Sequence, residues 1–195
     1  MSKEKVILFD TTLRDGQQTQ GVDFSVQDKV NIAKALDNIG IDYIEGGWPG
    51  ANPTDTKFFE QNNKFSNAKF TAFGMTKRAG RSADNDPQLR SLIDANSDSI
   101  CLVAKTWDFH VDLALGISLE ENIEAIKDSV LSVKANDKEP LIDCEHFFDG
   151  FKSNPEFSYK CIEAALENGA EWVVLCDTNG GTLPNEIFQI VGEIT

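Results

Sequence analysis

Short apolar runs that end in polar residues recur along the chain, and most are followed by a stretch with helical spacing. The first, Val6-Ile7-Leu8, reads as a buried strand that releases Phe9-Asp10-Thr11-Thr12-Leu13-Arg14-Asp15-Gly16-Gln17-Gln18. Ser25, with Asp28 three residues on, has the form of a capping box and predicts a helix. Val26, Val30, Ala33 and Ile32, Leu36, Ile39 keep helical spacing there, and Gly40 suits its C-terminal cap. Ile41 to Ile44 predicts a second strand, Glu45-Gly46-Gly47-Trp48-Pro49-Gly50 a loop, and Asn52-Pro53-Thr54 the start of a helix through Phe58 and Phe59.

The unit then repeats. Lys69 to Phe73 predicts strand three and Pro87 to Ala95 a helix; Ser99 to Ala104 predicts strand four, ending in Lys105-Thr106-Trp107-Asp108-Phe109-His110. Ser118 with Glu121 forms a second capping box, and Leu119, Ile123, Ile126, Val130 and Val133 mark the core stripe of a long helix. Pro140 to Cys144 predicts strand five, ending in Glu145-His146, and Asn154-Pro155 opens a helix closed by Gly169. Trp172 to Cys176 predicts strand six, ending in Asp177-Thr178-Asn179, and Pro184 begins a last helix that carries Ile187, Ile190 and Val191.

Alternating strands and helices imply a parallel sheet. An open doubly wound sheet gathers its polar strand ends at one switch point, and its first turn usually carries G-x-G-x-x-G, which this chain lacks there. Polar or small groups follow every predicted strand, as a barrel requires when all its strand ends serve one site. The expectation is therefore a parallel (β/α)8 TIM barrel of which residues 1–195 supply the first six units, leaving open edges to be covered.

Composition narrows the chemistry. A net charge of -14 over 195 residues argues against nucleic acid or an anionic membrane as partner. The N-terminal residues lack the apolar segment of a secretory signal and no stretch is long enough to span a membrane, so the expected location is cytoplasmic. The four cysteines, Cys101, Cys144, Cys161 and Cys176, form no C-x-x-C pair and read as reduced thiols in or near the core.

The strand ends offer Asp10, Arg14, Asp15 and Gln18 after strand one, Glu45 after strand two, and Lys105 and His110 after strand four. Glu145 and His146 follow strand five, Thr178 and Asn179 strand six. Carboxylates beside an arginine suit a hard divalent cation holding a keto acid, because cation and guanidinium can both polarise the carbonyl oxygen. A structural ion pair at a strand end would use the same residues.

Asp10-Thr-Thr-Leu-Arg14-Asp15-Gly16-x-Gln18 resembles the signature of the metallolyase and acyltransferase barrels that include isopropylmalate, homocitrate and citramalate synthases and hydroxymethylglutaryl-CoA lyase. Tyr43-Ile-Glu45-Gly-Gly-Trp-Pro-Gly, Asp143-Cys-Glu145-His146-Phe-Phe-Asp-Gly and Leu175-Cys-Asp177-Thr178-Asn179-Gly-Gly-Thr-Leu-Pro184 are similar to the citramalate synthase branch in particular. The resemblance implies Asp15 as a ligand of a divalent metal (Mn, Mg or Zn), Arg14 as the group that polarises the keto oxygen, and Glu45 as its support. It implies that Gln18 helps to hold the metal-bound acid, Glu145 acts near acetyl-CoA, Thr178 binds the keto acid's carboxylate, and His110 lines the pocket. Packing of the His110 ring beside Trp107 is the alternative for that residue.

Acetyl-CoA and pyruvate would be the substrates and citramalate and CoA the products, with 2-isopropylmalate or homocitrate synthesis as the alternatives. A homo-oligomer is expected. The family's His-x-His metal ligands on strand seven have no counterpart here, since His110 and His146 are the only histidines. The 195 residues alone are accordingly expected to be inactive, and a non-catalytic partial barrel that self-associates is the reading of another class.

Overall fold

A computed structural model describes residues 5–195. Its strands are β1 (Phe9–Asp10), β2 (Tyr43–Gly47), β3 (Lys69–Met75), β4 (Ser99–Lys105), β5 (Glu139–Glu145) and β6 (Trp172–Leu175), in the sheet order β1-β2-β3-β4-β5-β6. β1 pairs with β2, β2 with β3 and β5 with β6 in parallel. Each strand lies beside its neighbour in sequence, with no reversal of order, as a barrel requires and a doubly wound sheet does not. The helices are α1 (Val26–Asn38), α2 (Pro53–Glu60), α3 (Pro87–Asp94), α4 (Asp108–His110), α5 (Leu119–Ala135), α6 (Phe147–Ser153), α7 (Pro155–Glu167) and α8 (Pro184–Ile194). Two compact units divide the chain: one comprises the residues up to Gly74 with Pro87–Cys101, the other Met75–Asp86 with Leu102–Thr195. Among the described residues no helix is long and apolar enough to cross a membrane.

In the first unit, Ser25 caps α1 with the expected box: Asp28 N–H donates to Ser25 Oγ, and the Asp28 carboxylate accepts from Ser25 N–H. The buried residues of this helix differ from the expected apolar stripe. Lys29, Ala33 and Asp37 are the buried ones, four residues apart, while Ile39 at the cap is exposed. Asp37 explains its own burial. Its carboxylate accepts the backbone N–H groups of Ser66, Asn67 and Ala68 at 2.8–2.9 Å and so fixes the entry to β3.

Burial of Asp37 raises its pKa, but the three backbone donors outweigh that and hold the carboxyl below its ordinary value. A depressed folded pKa adds stability above the unfolded value, and that stability is lost as pH falls through the folded value. Asp37→Ala should therefore cost about 2–3 kcal/mol at neutral pH, because buried donors lose their acceptor. The deficit should shrink as acid titrates the parent, and urea unfolding at neutral and acid pH measures both effects.

Two expected boundaries move. Val6-Ile7-Leu8 is not a buried strand: β1 holds Phe9 and Asp10 alone, and Val6 and Leu8 are 79% and 48% exposed. β1 ends the strand order and has a neighbour on one side, and the Asp42 carboxylate, not a ladder, takes the Leu8 N–H at 3.0 Å. β2 runs past Ile44 to Gly47, with every residue buried, through what reads in sequence as a glycine loop. The glycines let it continue. A side chain at Gly46 would collide with the rings of Phe70 and Phe58, and Gly47 has φ +139° with the Asp55 carboxylate against it.

In the second unit, Ser118 and Glu121 cap α5, which buries Ile126, Val130 and Val133 of the expected stripe and leaves Leu119 and Ile123 half-buried, with Ala125 buried beside them. Asn154 caps α7 and Pro155 takes its first turn. Helices α4 and α6, immediately after β4 and β5, have no counterpart in the sequence expectations. In α6 the aromatic residues account for the difference, since Phe147, Phe148 and Phe151 are all buried.

Candidate active site

The residues singled out in sequence fall into two groups, one in each unit. In the first, the chain after Asp10 wraps around a single carbonyl: Thr11 O accepts N–H bonds from Arg14 (3.1 Å), Asp15 (2.8 Å) and Gly16 (3.2 Å). Leu13 anchors this turn, fully buried. The Asp10 carboxylate braces it from below, accepting from Thr12 N–H at 3.0 Å and Thr12 Oγ1 at 3.1 Å. The wrap sends the Arg14 side chain towards β2 and β3.

There the Arg14 Nε–H donates to Glu45 Oε2 at 2.6 Å and Nη1 donates to Asp15 Oδ1 at 3.0 Å. The guanidinium lies over the Phe73 ring, 3.9 Å from its centroid. Glu45 is fully buried and the Arg14 side chain 16% exposed, so this charge pair is held largely out of water. Asp15 differs, with a side chain 63% exposed; its Oδ2 takes no hydrogen bond among the described residues. Gln18 lies exposed on the short helical turn Gly16–Gln18 and makes no side-chain bond among the described residues. Its neighbour Gln17 instead has a buried Oε1 with no hydrogen-bond partner among them.

The second group gathers at the ends of β4, β5 and β6. Lys105 Nζ is ion-paired with Glu145 Oε2, and buried Thr106 donates its hydroxyl to the Glu145 carbonyl at 3.0 Å. His146 adopts the left-handed conformation, φ +51°, which is uncommon for a residue with a side chain. It is held there by its N–H bond to Thr178 Oγ1 at 2.8 Å and by Asp149 Oδ2, 3.2 Å from Nδ1. Asn179 Nδ2 donates to the same Asp149 oxygen at 2.8 Å.

The His110 ring packs at a tilt against Trp107, centroids 4.7 Å apart, and meets His146 edge-on at 4.5 Å. Burial, then the facing charges of His146 and Lys105, lower the His110 pKa against the opposing pull of Glu145 and Asp149. These influences favour the neutral imidazole. Trp107 Nε1–H is buried with no acceptor among the described residues. The packing of His110 on Trp107 is thus present whether or not His110 also faces a ligand.

Burial pushes the Cys144 thiol well up and Cys161 up to about 12, so neither supplies a thiolate nucleophile. Sequence reasoning missed Lys29 and Asp55, a buried ion pair beneath the first group. The signal was present: Lys29 stands four residues before Ala33, on the helix face that had to be buried. It also missed Phe73, whose ring carries the guanidinium, and Asp149, which orients His146.

A family profile described as HMGL-like matches residues 5–195. Curated proteins similar to this chain include the (R)-citramalate synthases of Aquifex aeolicus and Geobacter sulfurreducens, each 53% identical. They align over 98% and 97% of this chain but over 37% and 36% of their own length. A 2-isopropylmalate synthase of Microcystis aeruginosa is 33% identical over 97% of the chain and 35% of its own length. The chain therefore spans little more than a third of the curated relatives it matches. Among solved structures, the HMG-CoA lyase of Bacillus subtilis superposes with a TM-score of 0.80 at 17% identity, covering 97% of this chain and 64% of the lyase. That of Brucella melitensis gives 0.77 at 15% identity, covering 98% and 68%. At such identities the likeness concerns the fold, the first six β/α units of a parallel TIM barrel.

Proposed function

The chain belongs to the HMGL-like family, and on that premise we propose that residues 1–195 are the N-terminal part of the catalytic barrel of a citramalate synthase. The enzyme would be an acyltransferase that condenses acetyl-CoA with pyruvate and releases citramalate and CoA. The observation that carries this reading is the gap in identity, 41–53% to citramalate synthases against 29–33% to isopropylmalate synthases over nearly the same residues. A cytoplasmic location and a homo-oligomeric state belong to the same proposal.

In the condensation a base takes a methyl proton from acetyl-CoA and the resulting carbanion adds to the keto carbon of pyruvate. The keto oxygen gathers negative charge, and water then cleaves the thioester to free the CoA thiol. Arg14 has the geometry to meet that developing charge. Glu45 and Phe73 hold its guanidinium in one orientation before substrate arrives, which is the preorganisation that makes such stabilisation effective.

The family implies a divalent metal. Asp15 suits one ligand position of a hard cation, since its carboxylate is exposed and one oxygen takes no bond among the described residues. A bound metal would add Lewis acidity at the keto oxygen; whether Mn, Mg or Zn serves is part of the proposal. Glu145 near acetyl-CoA, Thr178 at the keto acid's carboxylate, Gln18 beside the metal-bound acid and His110 in the pocket keep the roles that resemblance gives them. The exposure of Gln18 and the orphaned oxygen of Gln17 make Gln17 a competitor for the Gln18 role.

The test is a chimaera in which this chain replaces the corresponding third of the Aquifex aeolicus relative. Thiol release from acetyl-CoA is followed with pyruvate, 2-oxoisovalerate or 2-oxoglutarate and each metal in turn. Pyruvate should be preferred by roughly tenfold or more in kcat/KM, and the isolated chain should stay at background. A folded chimaera that prefers another acid, or turns over none, would overturn the assignment. Exposed apolar residues favour self-association of the isolated chain as a second reading, Phe188 (81%) and Val6 (79%) above all. Sedimentation checks it.

A further inference from the structure

Lys29 is the only lysine that is buried among the described residues, and its ammonium has no contact with solvent. All three of its protons are used. Nζ donates to Leu13 O at 2.8 Å, to Gly46 O at 2.9 Å and to the Asp55 carboxylate. Asp55 is itself fixed, its Oδ2 accepting from Trp48 N–H at 2.8 Å and Asn52 Nδ2 at 2.9 Å.

The two carbonyls are the informative partners. Leu13 directly precedes Arg14 and Gly46 directly follows Glu45. The Leu13–Arg14 peptide is held on both sides, its C=O by Lys29 and its N–H by Thr11 O at 3.1 Å. A peptide plane pinned at both ends fixes the direction in which the next Cα–Cβ bond leaves. A pair of buried charges is weak as a source of stability, and apolar residues of similar volume often serve a core as well. What an ammonium adds at this place is direction: three bonds that no methionine could make.

We infer that Lys29 is a positioning residue for Arg14: its ammonium locks the backbone on either side of the Arg14–Glu45 pair and thereby sets the reach of the guanidinium. It touches no substrate, because it is closed off beneath the turn. The role rests on the reading of Arg14 as the group that meets the keto oxygen, but the geometry it controls can be measured without substrate.

The experiment follows the Arg14 Nε–H resonance in the 15N-labelled chain, assigned by its disappearance in Arg14→Lys. In Lys29→Met that resonance should shift, and its exchange with water should quicken roughly tenfold or more, as a locally opened bond would. Asp37→Ala serves as the control. It removes a buried polar anchor from the same face of α1 and should lower stability while leaving the Arg14 signal in place. Should Lys29→Met fold poorly, Lys29→Met/Asp55→Leu removes the unpaired carboxylate and should show the same shift and faster exchange. Arg14 exchange at the parent rate in either Lys29 variant would overturn the inference. So would the unfolding of both while Asp37→Ala stays folded, since Lys29 would then be structural. A chimaera that fails to release thiol would leave this measurement untouched, so the two readings fail separately.

Discussion

Arg14→Lys is expected to lower kcat of the chimaeric synthase with pyruvate roughly 10²–10³-fold, with a much smaller change in KM, as removal of one oxyanion-stabilising donor does elsewhere. The charge survives this substitution, so the loss reads geometry. Arg14 uses Nε on Glu45 and Nη1 on Asp15 at once while its plane lies on Phe73. An ammonium is a point charge without a plane or a fork: it can pair with one carboxylate but cannot hold the same orientation towards a third group. The keto acid in its ground state is attracted to either cation, whereas the developing oxyanion rewards a donor already in place. Steady-state kinetics with pyruvate varied at saturating acetyl-CoA separates the two effects. A KM effect without a kcat effect would mean that Arg14 only binds the acid. Melting temperatures of the two proteins should agree within a few degrees, because Lys keeps the charge opposite Glu45.

Much of this arrangement was legible in the sequence, for reasons that differ by element. Capping boxes at Ser25 and Ser118 and the Asn-Pro starts at Asn52 and Asn154 are local signals, and local hydrogen bonds decide them; the helices begin where those residues say. Parallel pairing followed from alternation, and the unreversed strand order from the polar groups after every strand. The limits of β2 did not, because glycine reads as a loop residue until the neighbouring rings of Phe58 and Phe70 are known to need the space. The expected strand at Val6–Leu8 failed for the opposite reason: an apolar run promises burial only when both sides of the strand are covered, and β1 ends the order. In the candidate site, Arg14, Asp15 and Glu45 stood out by type and position, and the fold brings them together. The buried Lys29–Asp55 pair beneath them was missed although Lys29 falls in register with Ala33, since charged residues on a helix are usually assigned to its wet face. Helices α4 and α6 escaped notice because short runs of aromatic and polar residues carry too few turns to show a period.

Glu45 is where stability and catalysis can be pulled apart. Glu45→Gln keeps the shape but leaves the Arg14 guanidinium opposite a neutral amide in a place where Glu45 has no exposure and Arg14 has 16%. Removing one member of a buried pair typically costs about 3–5 kcal/mol, and the partial exposure of Arg14 puts the expected loss at the lower end, about 3 kcal/mol, by urea unfolding. Turnover should fall as well, roughly tenfold or more, because a guanidinium free to rotate off Phe73 loses its aim. The stability loss alone could not cause this if the assay temperature stays below the melting range. Removing both charges tests the reasoning. Arg14→Leu/Glu45→Leu should recover most of the lost stability, since two apolar side chains replace an ion pair largely removed from water, yet it should remain as inactive as Arg14→Leu alone. Were the double variant to stay as unstable as Glu45→Gln, the pair would be a net source of stability. Its value to the enzyme would then no longer lie in the direction it gives to one cation.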